Sequence, residues 1–267
     1  MFIVPISFLY RFIRLNTVVV LLGIFLIVSC NGNPSRNTEI RASGAVIEQW
    51  EQAPEIEVTV DYIPSKSKTA LYLDSLGLVD VTDLDPGIAV ELMYNKPTNF
   101  TGEILYTDLR EAYLHPDAAY GLVDAQRFLK EVHPEYSLLI YDAARPMSAQ
   151  QKMWDVVKGT SKQIYVSNPA RGGGLHNYGL AVDVGIVDDH GSPLPMGTEV
   201  DHLGKEAHIT HEEVMVKQGV ITEQERQNRL LLRTVMRKAG FRALPSEWWH
   251  FNWCSRDEAK RSYQVIE

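Results

Sequence analysis

The sequence predicts a single α+β domain, a central antiparallel sheet flanked by helices, with a metal site at the sheet. Three observations predict it. Short apolar segments that read as strands mix with segments of helical periodicity, without the regular βαβ alternation of a doubly wound fold. About 200 residues follow the N-terminal region, enough for one domain with a real core. The densest chemical signals, around Asp183 and His250, lie inside two of the apolar segments.

Residues 1–10 are apolar and irregular, and Arg11 and Arg14 then add positive charge. The apolar run VVVLLGIFLIV at 18–28 is shorter than the roughly 20 residues a permanent span needs. Basic residues before a short apolar core are the layout of a secretory signal. The run ends Ile27-Val28-Ser29-Cys30, which resembles the lipobox of bacterial lipoproteins. That resemblance implies that Cys30 becomes the lipidated first residue of an exported chain, held at the cell envelope by its lipid. Residues 1–30 are thus expected to be a lipoprotein signal peptide. Residues 31–69 are expected to be a tether with one short strand at 57–63, and 70–267 the domain.

Within the domain, Ile88 to Tyr94 reads as a strand that stops before Asn95-Lys96-Pro97. Pro116 to Val132 reads as a helix, with Leu122, Ala125, Leu129 and Val132 on one face. Ser137 to Tyr141 is a short buried strand. Ser148-Ala-Gln-Gln151 has the form of a capping box opening a helix to about Lys158. Leu180 to Val187 is a strand. Thr222-Glu-Gln-Glu225 is a second capping box, and Leu232, Val235, Met236 and Ala239 share a face of the helix it opens, which Gly240 closes. Glu247 to Trp253 reads as an aromatic strand.

Composition excludes several function classes. The formal charge is −8 and the body carries no basic cluster, so nucleic acid is not an expected partner. With Cys30 lipidated, Cys254 has no intrachain partner, so the domain is not a disulfide scaffold. No phosphate-cradling glycine motif of the dinucleotide or P-loop kind is present.

Two segments carry chemistry. In Arg171-Gly-Gly-Gly-Leu-His-Asn-Tyr-Gly-Leu-Ala-Val-Asp183, three glycines precede His176, and Asp183 sits among Ala181, Val182 and Val184. A carboxylate there is costly to bury unpaired, and a cation beside it removes the cost. In Ser246-Glu-Trp-Trp-His-Phe-Asn-Trp253, Glu247 and His250 stand among large aromatics. Two histidines and a carboxylate form a catalytic zinc set that leaves a position for water, and Glu247 is placed to move the protons. Spacing raises one difficulty: positions three apart face opposite ways on a flat strand, so a bulge or strand end is required between Glu247 and His250. His115, His133, His190, His202, His208 and His211 lie in polar or loop-like contexts and read as surface residues.

GLHNYGLAVD followed by EWWH resembles the signature of the D-alanyl-D-alanine dipeptidases, zinc peptidases of vancomycin resistance and cell-wall salvage. The likeness runs over roughly 88–255 and includes MYNKPTNFTG, DAARP at 142–146 and PMGTEVD at 195–201. The resemblance implies one zinc ion per chain held by His176, Asp183 and His250, and Glu247 as the catalytic base. It further implies Arg145 as the oxyanion-stabilising arginine, and Asp201 and Tyr94 as the residues that hold the substrate's ammonium. The implied substrate is D-Ala-D-Ala or a similar small peptide from peptidoglycan. One departure stands out. The family usually has Ser two positions before the first zinc histidine, where it helps bind the substrate carboxylate, and this chain has Gly174. The backbone N–H groups of Gly172 to Gly174 are then the alternative donors. The rival readings are a D,D-carboxypeptidase or murein endopeptidase of the same fold, and a non-catalytic cell-wall module that keeps zinc for stability. Asp201 separates the first pair from a dipeptidase, because capping a free amine excludes longer chains. Glu247 and Arg145 argue against the last, since a structural zinc site needs neither.

Overall fold

The computed structural model describes residues 66–267. The lipobox, Cys30 and the expected strand at 57–63 lie outside those residues. Helices α1 (Lys68–Ser75) and α2 (Val81–Leu84) flank strand β1 (Val79–Asp80). Strands β2 (Ala89–Val90) and β3 (Tyr113–Leu114) follow, then helix α3 (Pro116–Val132), strand β4 (Ser137–Asp142) and helix α4 (Met147–Val157). The remainder is β5 (Ala181–Val187), α5 (Glu212–Lys217), α6 (Glu223–Lys238), β6 (Arg242–Ala243), β7 (His250–Asn252) and α7 (Arg256–Ser262). The fold is α+β. A five-stranded sheet runs β2-β4-β5-β7-β6, and β1 pairs separately with β3. The central sheet is antiparallel except at its edge, where β2 runs parallel to β4. Structure begins before residue 70. Ser67 caps α1, and Thr69 Oγ1 donates to Asp108 at 2.6 Å, so the end of the expected tether belongs to the domain.

Alternation along the strands sorts the core from the site. Leu138 and Ile140 of β4, Val182, Val184 and Ile186 of β5, and Phe251 of β7 all pack against Leu122 and Leu129 of α3 and Leu232 and Met236 of α6. Side chains alternate across a strand, so Asp183 and His250 stand on the opposite face. A second cluster, built from Leu73, Leu92, Tyr94, Tyr106 and Met153, lies apart from the first.

Several sequence expectations need correction. The expected strand 88–94 forms a ladder only at Ala89 and Val90, and Met93–Asn95 turns as a 3-10 helix that buries Tyr94. Ser148 does not cap α4. Pro146 is the N-cap residue and makes no side-chain cap bond. The chain enters the helix early because Arg145 N donates to His176 O and Met147 N to Ile266 O, which fixes the backbone on both sides of Pro146. Val132, expected on the buried face of α3, is 61% exposed at the helix end. The expected strand 247–253 shortens to His250–Asn252. The Thr222 capping box forms as read, with Thr222 Oγ1 accepting from Glu225 N and Glu225 Oε2 from Thr222 N.

Gly121 lies inside α3, where glycine ordinarily weakens a helix by about 1 kcal/mol relative to Ala. Packing explains it: a Cβ there would run into the ring of Trp253, a residue whose backbone N–H ties the end of β7 to Leu180 O. Gly121→Ala is therefore expected to destabilise the domain by about 1–3 kcal/mol through overpacking. Thermal unfolding should fall by roughly 2–4 °C per kcal/mol in a domain of this size. An unchanged or higher midpoint would mean the Trp253 ring can move aside.

Candidate metal centre and cleft

Asp183 and His250 are directly paired residues of β5 and β7, and cross-strand partners bring their side chains together on one face. His176 arrives from the 3-10 turn Leu175–Tyr178 that precedes β5. The ligand-type atoms of these three side chains converge. His250 Nδ1 lies 2.9 Å from Asp183 Oδ1, and His176 Nε2 lies 3.1 Å from His250 Nδ1 and 3.3 Å from Asp183 Oδ1. Atoms bound at about 2.0–2.1 Å around a tetrahedral centre stand ~3.4 Å apart, so these separations suit three ligands of one small ion.

The hydrogen bonds behind the triad decide the tautomers. His176 Nδ1 faces Ala143 O at 2.7 Å, so Nδ1 carries the proton and Nε2 offers its lone pair. His250 Nε2 donates to Asn252 Oδ1 at 2.9 Å, which leaves Nδ1 as the lone-pair atom. Two lone pairs and a carboxylate oxygen thus face one another, an arrangement that repels without a cation between them. Outer partners that set ligand tautomers in this way are a regular part of metal sites. Burial opposes ionisation of Asp183, so its carboxylate needs positive charge beside it: either His176 and His250 protonated toward it, which holds the carboxyl well below its usual range, or, with their lone pairs turned inward, a cation.

Arg145 is held on the same face. Its Nε and Nη2 donate to Asp142 Oδ2 at 2.9 and 2.6 Å, and Nη1 donates to Gln150 Oε1 at 2.9 Å. Asp142 is buried and also accepts from Tyr106 at 2.7 Å. Burial alone would weaken the guanidinium's charge, but Asp142 outweighs it and keeps Arg145 firmly protonated. The clamp depends on an irregularity in β4. Ile140 pairs with Val184 and Asp142 with Asp183, so the register shifts at Tyr141. Strict alternation from Ile140 would turn Asp142 into the core; the bulge turns it toward the site instead.

Glu247 sits in the turn before β7, which resolves the spacing difficulty: the strand starts only at His250. Its Oε2 is 4.0 Å from His250 Nδ1, and its side chain is 11% exposed. Burial first, then the charges of Asp183 and Asp201, raise it to about 7 against the opposing pull of His250 and Arg145. Tyr94 donates its hydroxyl to Asp201 at 2.8 Å, and burial followed by the neighbouring Asp183 raises Asp201 to about 7. Asp201 has a φ of 63° and lies in a loop without regular structure. Arg229 of α6, fully buried, ties that loop down by donating to Met196 O, Glu206 O and His208 O.

The structure therefore brings together Tyr94, Arg145, His176, Asp183, Asp201, Glu247 and His250, all on the wall of one cleft of about 180 Å³. None of the other six histidines is buried. Cys254 is free and buried among the described residues. One expectation fails. The N–H groups of Gly172, Gly173 and Gly174 donate to Pro169 O, Asn168 O and Asn177 Oδ1, so the glycine loop has no backbone donor left for a substrate carboxylate. A side chain at 174 would also crowd Ser167, since a Cβ there would stand 2.9 Å from Ser167 Oγ. Sequence reasoning missed Asp142, Gln150, Arg229 and Asn252. Three of them carried a signal: Asp142 opens the DAARP motif, Arg229 shares the α6 face of Leu232 and Met236, and Asn252 stands two positions from His250 on one strand face.

The family model described as D-Ala-D-Ala dipeptidase matches residues 74–266. The chain is 33% identical over 178 residues to the D-alanyl-D-alanine dipeptidase of Escherichia coli, covering 67% of this chain and 85% of that one. It is 31% identical over 160 residues to the D-alanyl-D-alanine dipeptidase of Synechocystis, covering 49% and 65%. A D-alanyl-D-alanine dipeptidase of Enterococcus faecium is 26% identical over 195 residues, covering 66% and 91%.

Proposed function

The chain belongs to the D-Ala-D-Ala dipeptidase family, and from that premise we propose that it is a zinc peptidase that hydrolyses D-Ala-D-Ala to two D-alanines. The observation that carries the dipeptide reading is the Tyr94–Asp201 pair, set in the same cleft as the His176, Asp183 and His250 triad. A half-buried carboxylate backed by a buried tyrosine suits a free ammonium, and a longer peptide has none at that position. Zinc held by His176, Asp183 and His250 would supply Lewis acidity, lowering the pKa of a water toward ~7 and polarising the peptide carbonyl.

The protein's own residues do the rest. Glu247 accepts the proton of the attacking water and passes it to the leaving amine; an acid–base group raised toward neutrality serves both steps. Arg145, fixed by Asp142 and Gln150, presents a rigid charge where the carbonyl oxygen becomes negative. Trp248 and Trp249, which follow Glu247, are buried in the main core and anchor the turn that carries it. The deciding experiment offers protein lacking residues 1–30 three substrates: D-Ala-D-Ala, L-Ala-L-Ala and a muramyl pentapeptide, with zinc content measured alongside. Cleavage of the first alone is expected. Release of D-Ala from the pentapeptide would make it a carboxypeptidase, and binding without turnover a cell-wall module.

The proposal extends to location. Cys30 carries a lipid, residues 31 onward tether the domain, and the enzyme works at the cell envelope on small wall-derived peptides. The support is the I-V-S-C sequence that ends the apolar run. Among the described residues, no helix is long and apolar enough to cross a membrane. Cys30→Ser should abolish incorporation of labelled fatty acid; labelling that persists would sink the anchor.

A further inference from the structure

The dipeptide is a zwitterion, and its two ends need opposite receptors. Apart from histidines, the charged side chains on the cleft wall are Asp183, Asp201, Glu247, Arg145 and Arg256. Tyr94 and Asp201 serve the ammonium. Arg145 is committed to Asp142 and Gln150 and stands at the reaction centre, with Nη2 3.7 Å from Asp183 Oδ2. The glycine loop has spent its N–H groups on its own turns. That leaves Arg256.

Arg256 opens α7, just beyond β7, and leans back onto the glycine loop, where its Nη2 donates to Arg171 O at 3.2 Å. Among the described residues it has no acidic partner, in contrast to Arg145, Arg229 and Arg233. Its Nε is buried and makes no hydrogen bond among those residues, which is unusual for a guanidinium donor. A cleft-wall arginine tied to one carbonyl and otherwise unpaired has the planar donors that match a carboxylate. We propose that Arg256 receives the C-terminal carboxylate of the dipeptide, an inference that rests on the dipeptidase reading above. The chain thereby recognises a free C-terminus through a side chain beyond β7 rather than through the loop that carries Gly174.

The test compares zinc-loaded wild type, Arg256→Gln and Arg256→Lys on D-Ala-D-Ala and on D-alanyl-D-alaninamide, which lacks the negative charge. The readout is the ratio of kcat/KM for the acid to that for the amide. Wild type should prefer the acid. In Arg256→Gln the ratio should fall about ten- to hundredfold, the scale of a lost charge-assisted hydrogen bond, with the change in KM rather than kcat. Arg256→Lys, which keeps the charge but not the fork, should retain part of the preference. It carries the test alone if the glutamine variant does not fold: a several-fold fall is expected, and an unchanged ratio overturns the assignment. A ratio preserved in Arg256→Gln, or a wild type indifferent to the amide, also overturns it. A wild type that cleaves neither compound removes the dipeptidase reading itself, and this inference with it.

Discussion

Glu247→Gln is expected to lower kcat on D-Ala-D-Ala by about 10²–10⁴-fold, the range general acid–base catalysis supplies, while zinc content and substrate affinity hold. The reasoning is steric as well as chemical. Glu247 precedes two tryptophans buried in the core, and Trp248 Nε1 is pinned to Thr198 at 2.9 Å. Gln fills the same volume and keeps the reach, so the turn and the triad should not move. What it loses is the ability to accept a proton. Glu247 Oε2 also stands 4.0 Å from His250 Nδ1, outside the closer distances among the three ligand-type side chains. The carboxyl thus has no share in the predicted ligand set. Loss of zinc together with activity would make Glu247 a ligand or a structural residue. Near-normal turnover would mean another group moves the proton, and the mechanism would have to be given up.

The contrast between Glu247 and Asp142 shows where sequence reading succeeds. Glu247, His250 and Asp183 were legible because each is a polar residue in an apolar segment, and burial of such a group needs a partner. Their convergence follows from simple alternation in β5 and β7, a rule that sequence spacing can express. Asp142 sits beside Arg145 in sequence, yet its role depends on the register shift at Tyr141. A bulge is a property of two strands pairing, and nothing in residues 137–142 alone announces it. The same holds for Arg229. Its spacing puts it on the α6 face of Leu232 and Met236, but nothing on that helix says what would pair a buried guanidinium there; the loop from 196 to 208 brings the carbonyls that do. Sequence reading also overran its evidence. The Ser148 motif matched a capping box, but tertiary bonds at Arg145 and Met147 had already set where α4 starts. Gly172 to Gly174 were read for their freedom to donate, and the structure uses that freedom on the turn itself.

His176→Ala is expected to empty the site: zinc measured by elemental analysis after dialysis against a chelator should fall from about one per chain to near zero. Asp183 and His250 would remain, both on the sheet, but two protein ligands hold a catalytic ion too weakly against a competing chelator. The backbone should survive the change. The carbonyl of His176 still accepts from Arg145 N, and Asn177 Nδ2 still holds Arg145 O. The local cost is the carbonyl of Ala143, which loses the Nδ1 proton it accepts at 2.7 Å. An orphaned buried acceptor costs about 1–3 kcal/mol, so a modest fall in the apo protein's unfolding temperature should accompany metal loss. His133→Ala, at a partly exposed site away from the cleft, is the matched control and should keep its zinc. Full occupancy in His176→Ala would remove His176 from the ligand set. It would also separate the two tautomer arguments: His250, set by Asn252, would then have to find its third partner elsewhere, and Glu247 is the nearest candidate at 4.0 Å. Zinc loss that spares Glu247→Gln but not His176→Ala is the pattern that a three-ligand site with a separate base requires.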